Sequence, residues 1–184
     1  IGEQALDRMG LARLVFVSHG LLDILHQAAW AARLEDPDIN FNSIPLDDRP
    51  TFEMLAQGST SGIPPFESVT VRCLLKRERP SNLLQILRIR NMALSADGSG
   101  MPHEISDDLP DVLLSYQCAF IRTNYPLAFF SAAIGGMLER GENPALLLTQ
   151  ASKLAIRILP ADINISDWTM SIQGGAIRLG LAAV

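Results

Sequence analysis

Cysteine is scarce in this chain: Cys73 and Cys118 are the two thiols in 184 residues, and neither has a second cysteine or a histidine at ligand spacing. That excludes a disulfide framework and a structural zinc. Both sit in apolar stretches, so each is expected to pack as a small hydrophobe in a reducing cytoplasm. Long apolar runs are lacking too. Stretches such as Leu14 to Val17 and Ala145 to Leu148 fall far short of the roughly 18 residues a membrane helix needs, so no membrane partner is expected. The opening Ile1-Gly2-Glu3-Gln4 has no initiator Met and no basic region ahead of an apolar run. It therefore does not read as a secretory signal, and the missing Met suggests an excised piece. Walker loops, glycine fingerprints, nucleophile elbows and HExxH are all absent, so generic motifs assign no chemistry. What is there is ordinary: 48% apolar and 19% charged residues, the composition of a soluble globular chain of about one domain.

The net charge of −5 hides an asymmetry. From Arg72 to Arg90 the chain places Arg72, Lys76, Arg77, Arg79, Arg88 and Arg90 against one acid, Glu78, a local +5 that leaves −10 for the remainder. An acidic chain disfavours stand-alone nucleic-acid binding, whereas a basic stretch within it fits a phosphate-facing surface. The competing reading is a solvated helix face.

Hydrophobic spacing predicts a mainly α chain with a few short β-strands, an α+β class. Leu14-Val15-Phe16-Val17 reads as a buried strand, and the apolar recurrence from Gly20 to Leu34 as a helix ending before Asp36-Pro37. A loop then leads to a helix at Pro50 to Gln57, with Pro50 in its first turn and Asp47-Asp48 as cap. Gly58 to Pro65 is turn-rich. Helices are expected at Glu67 to Arg77, with Glu67 capping, and at Asn82 to Met92, split by Pro80. Ser95 to Asp108 reads as a flexible junction. Helices follow at Leu113 to Tyr125, Leu127 to Glu139 and from Pro144 to about Ile156. Ile158 to Asn164 reads as an irregular crossing. Thr169 to Leu181 folds around Gly174-Gly175 as a β-hairpin. Trp30 and Trp168 are expected in the core or in subdomain packing. His19 and His26 share a helical spacing without an acidic or thiol partner, so no metal site is expected there. Asp23 is expected as an exposed helical acid.

Three blocks carry a family resemblance. The first is Ile44-Pro45-Leu46-Asp47-Asp48 with Thr51-Phe52, Leu55, Gly58, Thr60, Gly62, Phe66-Glu67-Ser68, Arg72 and Leu75-Lys76; the second is Leu114-Ser115-Tyr116-Gln117 with Tyr125-Pro126. The third is Leu159-Pro160, Asp162-Ile163-Asn164, Ser166-Asp167-Trp168 and Gly175 to Gly180. In this order they resemble the alpha subunit of bacterial DNA polymerase III, a C-family replicative polymerase, in its palm and fingers region. The resemblance implies residues 1–57 as palm edge with a loop into the fingers and 58–94 as a first fingers-like part. It implies 95–110 as a junction or deletion site and 111–184 as further fingers-like helices and the segment after them.

The family works with two magnesium ions on palm aspartates. The resemblance puts Val17, or Val15 in a shifted register, where one of those aspartates would stand, and valine cannot bind a metal. The family's Arg-Pro-Gly-Pro stretch is replaced by Met92 to Ala96, and its nucleotide-contacting Lys-Ser-His element by the acidic Ile105 to Asp111. No catalytic residue, metal site or cofactor is therefore assigned to this chain; Mg2+ belongs to the family's intact site. The implied role is a truncated, internally deleted relative that does not polymerise alone and contacts template or primer DNA through Arg72, Lys76, Arg77, Arg79, Arg88 and Arg90. Expected partners are DNA and other parts of the polymerase or replisome, with self-association through exposed apolar surface and a cytoplasmic location. The alternative is a non-catalytic helical module that binds protein, betrayed by an exposed apolar patch.

Overall fold

A computed structural model describes residues 20–40, 43–96 and 105–183. The strand expected at Leu14 to Val17, the metal-aspartate position at Val17 and His19 lie outside them.

Helix α1 (Gly20–Glu35) turns Leu21, Ile24, Ala28, Ala31 and Ala32 inward at helical spacing and leaves Asp23 exposed, as its pattern predicts. After a loop, α2 (Arg49–Ala56) starts on Asp48, whose carboxylate accepts from the Thr51 N–H at 3.0 Å, with Pro50 in the first turn. It stops at Gly58, in the left-handed region at φ +69°. A short 3-10 turn at Pro64–Phe66 precedes α3 (Val69–Glu78).

The cap of α3 is Ser68, not Glu67: the Ser68 hydroxyl accepts from the Val71 N–H at 3.2 Å, while a Glu67 oxygen accepts from the Gly62 N–H at 2.6 Å. Helix α4 (Leu83–Ala96) packs on α3, and α5 (Ile105–Asn124) runs through Pro110. Part of the expected junction is therefore helical, because the helix of the second block begins eight residues before Leu113. Helix α6 (Pro126–Glu139) is apolar almost all round and central, burying Phe129, Phe130 and Ile134, and α7 (Ala145–Lys153) covers it.

The chain ends in a three-stranded sheet of order β1-β3-β2: β1 (Arg157–Leu159), β2 (Ser171–Gln173) and β3 (Ala176–Arg178). The β2–β3 hairpin is the expected one, with Ile172 opposite Ile177 and both turn glycines at positive φ. The expected irregular crossing is in part strand, since β1 pairs parallel with β3. One core joins α1 to α7 and β3, with Leu21, Leu55, Leu75, Ile86, Tyr116, Phe129, Leu147 and Ile177 in a single cluster.

Three packing expectations are corrected. Trp30, on α1, and Trp168, in the bend before β2, are 64% and 72% exposed. Cys73 is exposed on α3; only Cys118 is buried.

Burial pushes the Cys118 thiol from 9.0 up to about 12, and the Tyr116 phenol from 10.0 up to about 12. Each group stays protonated in the folded chain where the unfolded chain has lost its proton. Their stabilisation is complete below pH 9 and is lost as pH rises toward 12. Burial lowers the Arg122 guanidinium to about 10, which acts in the opposite sense, one group against two. The urea midpoint is expected to fall above pH 9, with Cys118→Ala removing most of that fall, because Tyr116 and Arg122 then oppose each other above pH 10. A midpoint constant from pH 8 to 11 would contradict this.

Candidate nucleic-acid interface

The six cations of the basic stretch do not form one surface. Arg72 turns inward, and its Nε and Nη2 donate to the hydroxyls of Thr60 and Ser61 at 3.2 Å each. Arg90 is also mostly covered. It donates to the Pro65 carbonyl at 3.4 Å and lies 3.6 Å from the Asp111 carboxylate, joining α4 to α5. Arg77 is exposed but paired with Glu78 at 2.7 Å. Lys76, Arg79 and Arg88 are exposed, and no side-chain partner engages them among the described residues.

Two of those three come together with a residue that the basic stretch does not contain. Arg79 lines a hollow of about 400 Å³ between α2 and the α3–α4 turn, together with Arg49, Phe52, Glu53 and Gln57 of α2 and its end, and Pro80 and Ser81 of the turn. Lys76 lies next to it, its stem crossing Gly58: a Cβ at residue 58 would sit 2.6 Å from Lys76 Cε. The absence of a side chain at Gly58, which also ends α2, is thus what lets the lysine stem pass over this turn, next to Gln57 of the hollow. Arg49 bonds Glu53 at 2.7 Å, an exposed i,i+4 pair, worth about 0.3–0.5 kcal/mol and easily exchanged for a phosphate.

Arg79 is held in an unusual way. It ends α3 at φ 47°, ψ 65°, the left-handed region that normally takes glycine, and Pro80 follows. A non-glycine residue pays roughly 1 kcal/mol there. Local geometry would favour glycine at this position.

Behind the groove, the turn at residues 58–62 is fixed from inside. Arg122 on α5, buried, donates to the Ser61 carbonyl and to Gln150 Oε1, and its guanidinium lies 5.4 and 5.0 Å from the Phe129 and Phe130 ring centres. Gln150 donates in turn to the Ser61 hydroxyl at 2.7 Å. Burial, and after it the neighbouring Arg72, lower the Arg122 guanidinium to about 10, while Glu67 opposes them. The group remains charged at neutral pH.

No cluster of three His, Cys, Asp or Glu residues that could hold a metal occurs among the described residues. The Asp48 carboxylate is already engaged by Thr51 and Asn124. No helix among the described residues is long and apolar enough to cross a membrane.

The sequence itself ties this region to known proteins. Residues 21–100 match the family model of the bacterial DNA polymerase III alpha subunit finger domain. DNA polymerase III subunit alpha of Staphylococcus aureus strain COL is 33% identical over 87 residues, 47% of this chain and 8% of that protein. The same subunit of strain N315 gives the same identity and coverage. An error-prone DNA polymerase of Dechloromonas aromatica strain RCB is 25% identical over 132 residues, 71% of this chain and 12% of that protein. The chain spans about a tenth of the length of these curated relatives. The groove lined by Arg49 and Arg79, with Lys76 close by, lies within the matched span, so this part of the chain is similar to the finger region of the bacterial DNA polymerase III alpha subunit.

Proposed function

We propose that this chain is a polymerase-derived scaffold that contacts the phosphate backbone of template or primer DNA through the groove between α2 and the α3–α4 turn. The observation that carries this is the left-handed Arg79, unpaired among the described residues and lining one hollow with Arg49, with the exposed Lys76 crossing Gly58 next to that hollow's Gln57. Phosphate contacts position nucleic acid without reading its sequence, which suits a polymerase finger element. In this reading the chain does not polymerise alone: valine stands where the resemblance puts a metal-bridging aspartate, and the magnesium chemistry belongs to an intact family site. It acts in the cytoplasm alongside other replication proteins. The chain is read as a fragment or degenerate relative of the subunit.

The test is binding of a labelled primer–template duplex by fluorescence anisotropy between 50 and 200 mM salt. Lys76→Ala with Arg79→Gly is expected to lower affinity about tenfold at the lower salt. It should also flatten the slope of log K against log salt by about two units. Arg79→Gly alone is expected to weaken binding while stabilising the fold by about 1 kcal/mol, since glycine suits the left-handed position. A merely structural Arg79 would move stability without touching the salt slope. Unchanged DNA affinity in both variants removes the proposal.

A further inference from the structure

A larger hollow than the basic groove lies elsewhere, on the face formed by α1, α6 and the segment leading into β2. It holds about 710 Å³. Its floor is made of small residues, Ala31 and Ala132 among them, and its walls are Trp30 and Leu34 on one side and Met170 and Ile172 on the other. Trp30 and Leu34 are four residues apart and therefore share a helix face, yet each is 64% exposed. Trp168, the other tryptophan of the chain, stands beside the same trough and is 72% exposed. An enclosed small-molecule site would bury such walls. Here a large apolar trough is open along its sides, the form that takes a polypeptide segment.

Charge selects the occupant. No lysine or arginine lines the trough, whereas Glu139 and Asp167 do, one from the end of α6 and the other from the segment before β2. Neither carboxylate has an ion pair among the described residues. The nearby cation, Arg140, is committed to Glu142 through two bonds at 2.8 and 2.9 Å. We propose that this trough is a docking site for a basic peptide segment of a partner protein, one that seats a large apolar side chain between Trp30 and Ile172 and sets flanking Lys or Arg residues on Glu139 and Asp167. The site is separate from the basic groove and takes the opposite charge.

The experiment uses the full chain carrying Trp168→Phe, so that Trp30 is the sole tryptophan, excited selectively over Tyr116 and Tyr125. The probes are a synthetic peptide with a central Leu-Phe pair flanked by two lysines on each side, and its twin with glutamates. A saturable blue shift with the lysine peptide is expected, at least tenfold weaker with the glutamate twin. Glu139→Gln with Asp167→Asn, both at exposed positions, should erase that preference while the urea midpoint stays put. No shift with either peptide overturns the proposal. Equal binding of the two peptides overturns its charge basis. A Trp30 emission that is already blue-shifted, together with sedimentation as a dimer, would assign the trough to a second copy and likewise overturn it.

Discussion

Arg122→Ala is expected to destabilise the fold by about 3–5 kcal/mol, the range for stripping one partner from a buried charged network. At about 2–4 °C per kcal/mol for a chain of this size, the melting temperature should drop by roughly 6–20 °C. The guanidinium is buried, and its two bonds satisfy the Ser61 carbonyl and the Gln150 side chain. Truncation leaves these acceptors without their donor, at roughly 1–3 kcal/mol for each that water cannot reach. It also opens a void against Phe129 and Phe130, which now face the guanidinium. Arg122→Met separates the contributions, because it refills most of the volume without charge. If packing dominates, methionine recovers most of the loss; if hydrogen bonding to Ser61 dominates, it recovers little. A loss below 1 kcal/mol for alanine would show that the network is not coupled to folding. The same variant probes the groove, since Ser61 also anchors Arg72. Where the protein remains folded, DNA affinity should fall much less than in Lys76→Ala with Arg79→Gly.

Local signals made most of the helices legible. Asp48 ahead of Pro50, Pro126 after Tyr125 and the paired glycines 174 and 175 each fix a boundary through bonds made within a few residues, and the chain obeys them. Strand β1 was not legible, because its partner β3 lies nineteen residues further on at Ala176 and three residues show no usable periodicity. The misplaced tryptophans have a different cause. Size and hydropathy say what a residue would gain from burial, not whether its helix face has a neighbour, and Trp30 lines the open hollow beside α6, where it stays 64% exposed.

The basic stretch shows the same limit at the candidate site. Spacing assembled six cations, but the fold turned Arg72 and Arg90 to internal duties and brought in Arg49 from an element twenty-three residues before Arg72. One signal for Arg49 was available: a cation in the turn after the Asp47-Asp48 cap, four residues before Glu53. Pro80 marked in the sequence where α3 had to end, but not that Arg79 would take the left-handed conformation there, since a residue before proline is steered toward extended backbone.

Tyr116 carries the second large effect, and here the hydroxyl and the ring can be separated. The ring is fully buried, 5.3 Å from that of Phe52, and the hydroxyl donates to the Pro45 carbonyl at 2.9 Å while accepting from the Asp48 N–H at 3.2 Å. Tyr116→Phe keeps the ring and deletes both bonds, which is expected to cost about 1–2 kcal/mol. Tyr116→Ala removes the ring as well, raising the loss to about 3–5 kcal/mol, as for other large buried aromatics. The hydroxyl ties α5 to the loop that enters α2, so its loss should loosen the start of α2 before the rest of the fold. Amide exchange in Tyr116→Phe is therefore expected to quicken first at Asp48 and at Thr51 to Glu53, with α6 still protected. Because Arg49 leaves from that same turn, the groove should lose DNA affinity in Tyr116→Phe although Lys76 and Arg79 are untouched. Exchange that quickens uniformly across α2 and α6 would show instead that the hydroxyl stabilises the core as a whole and has no particular hold on the groove.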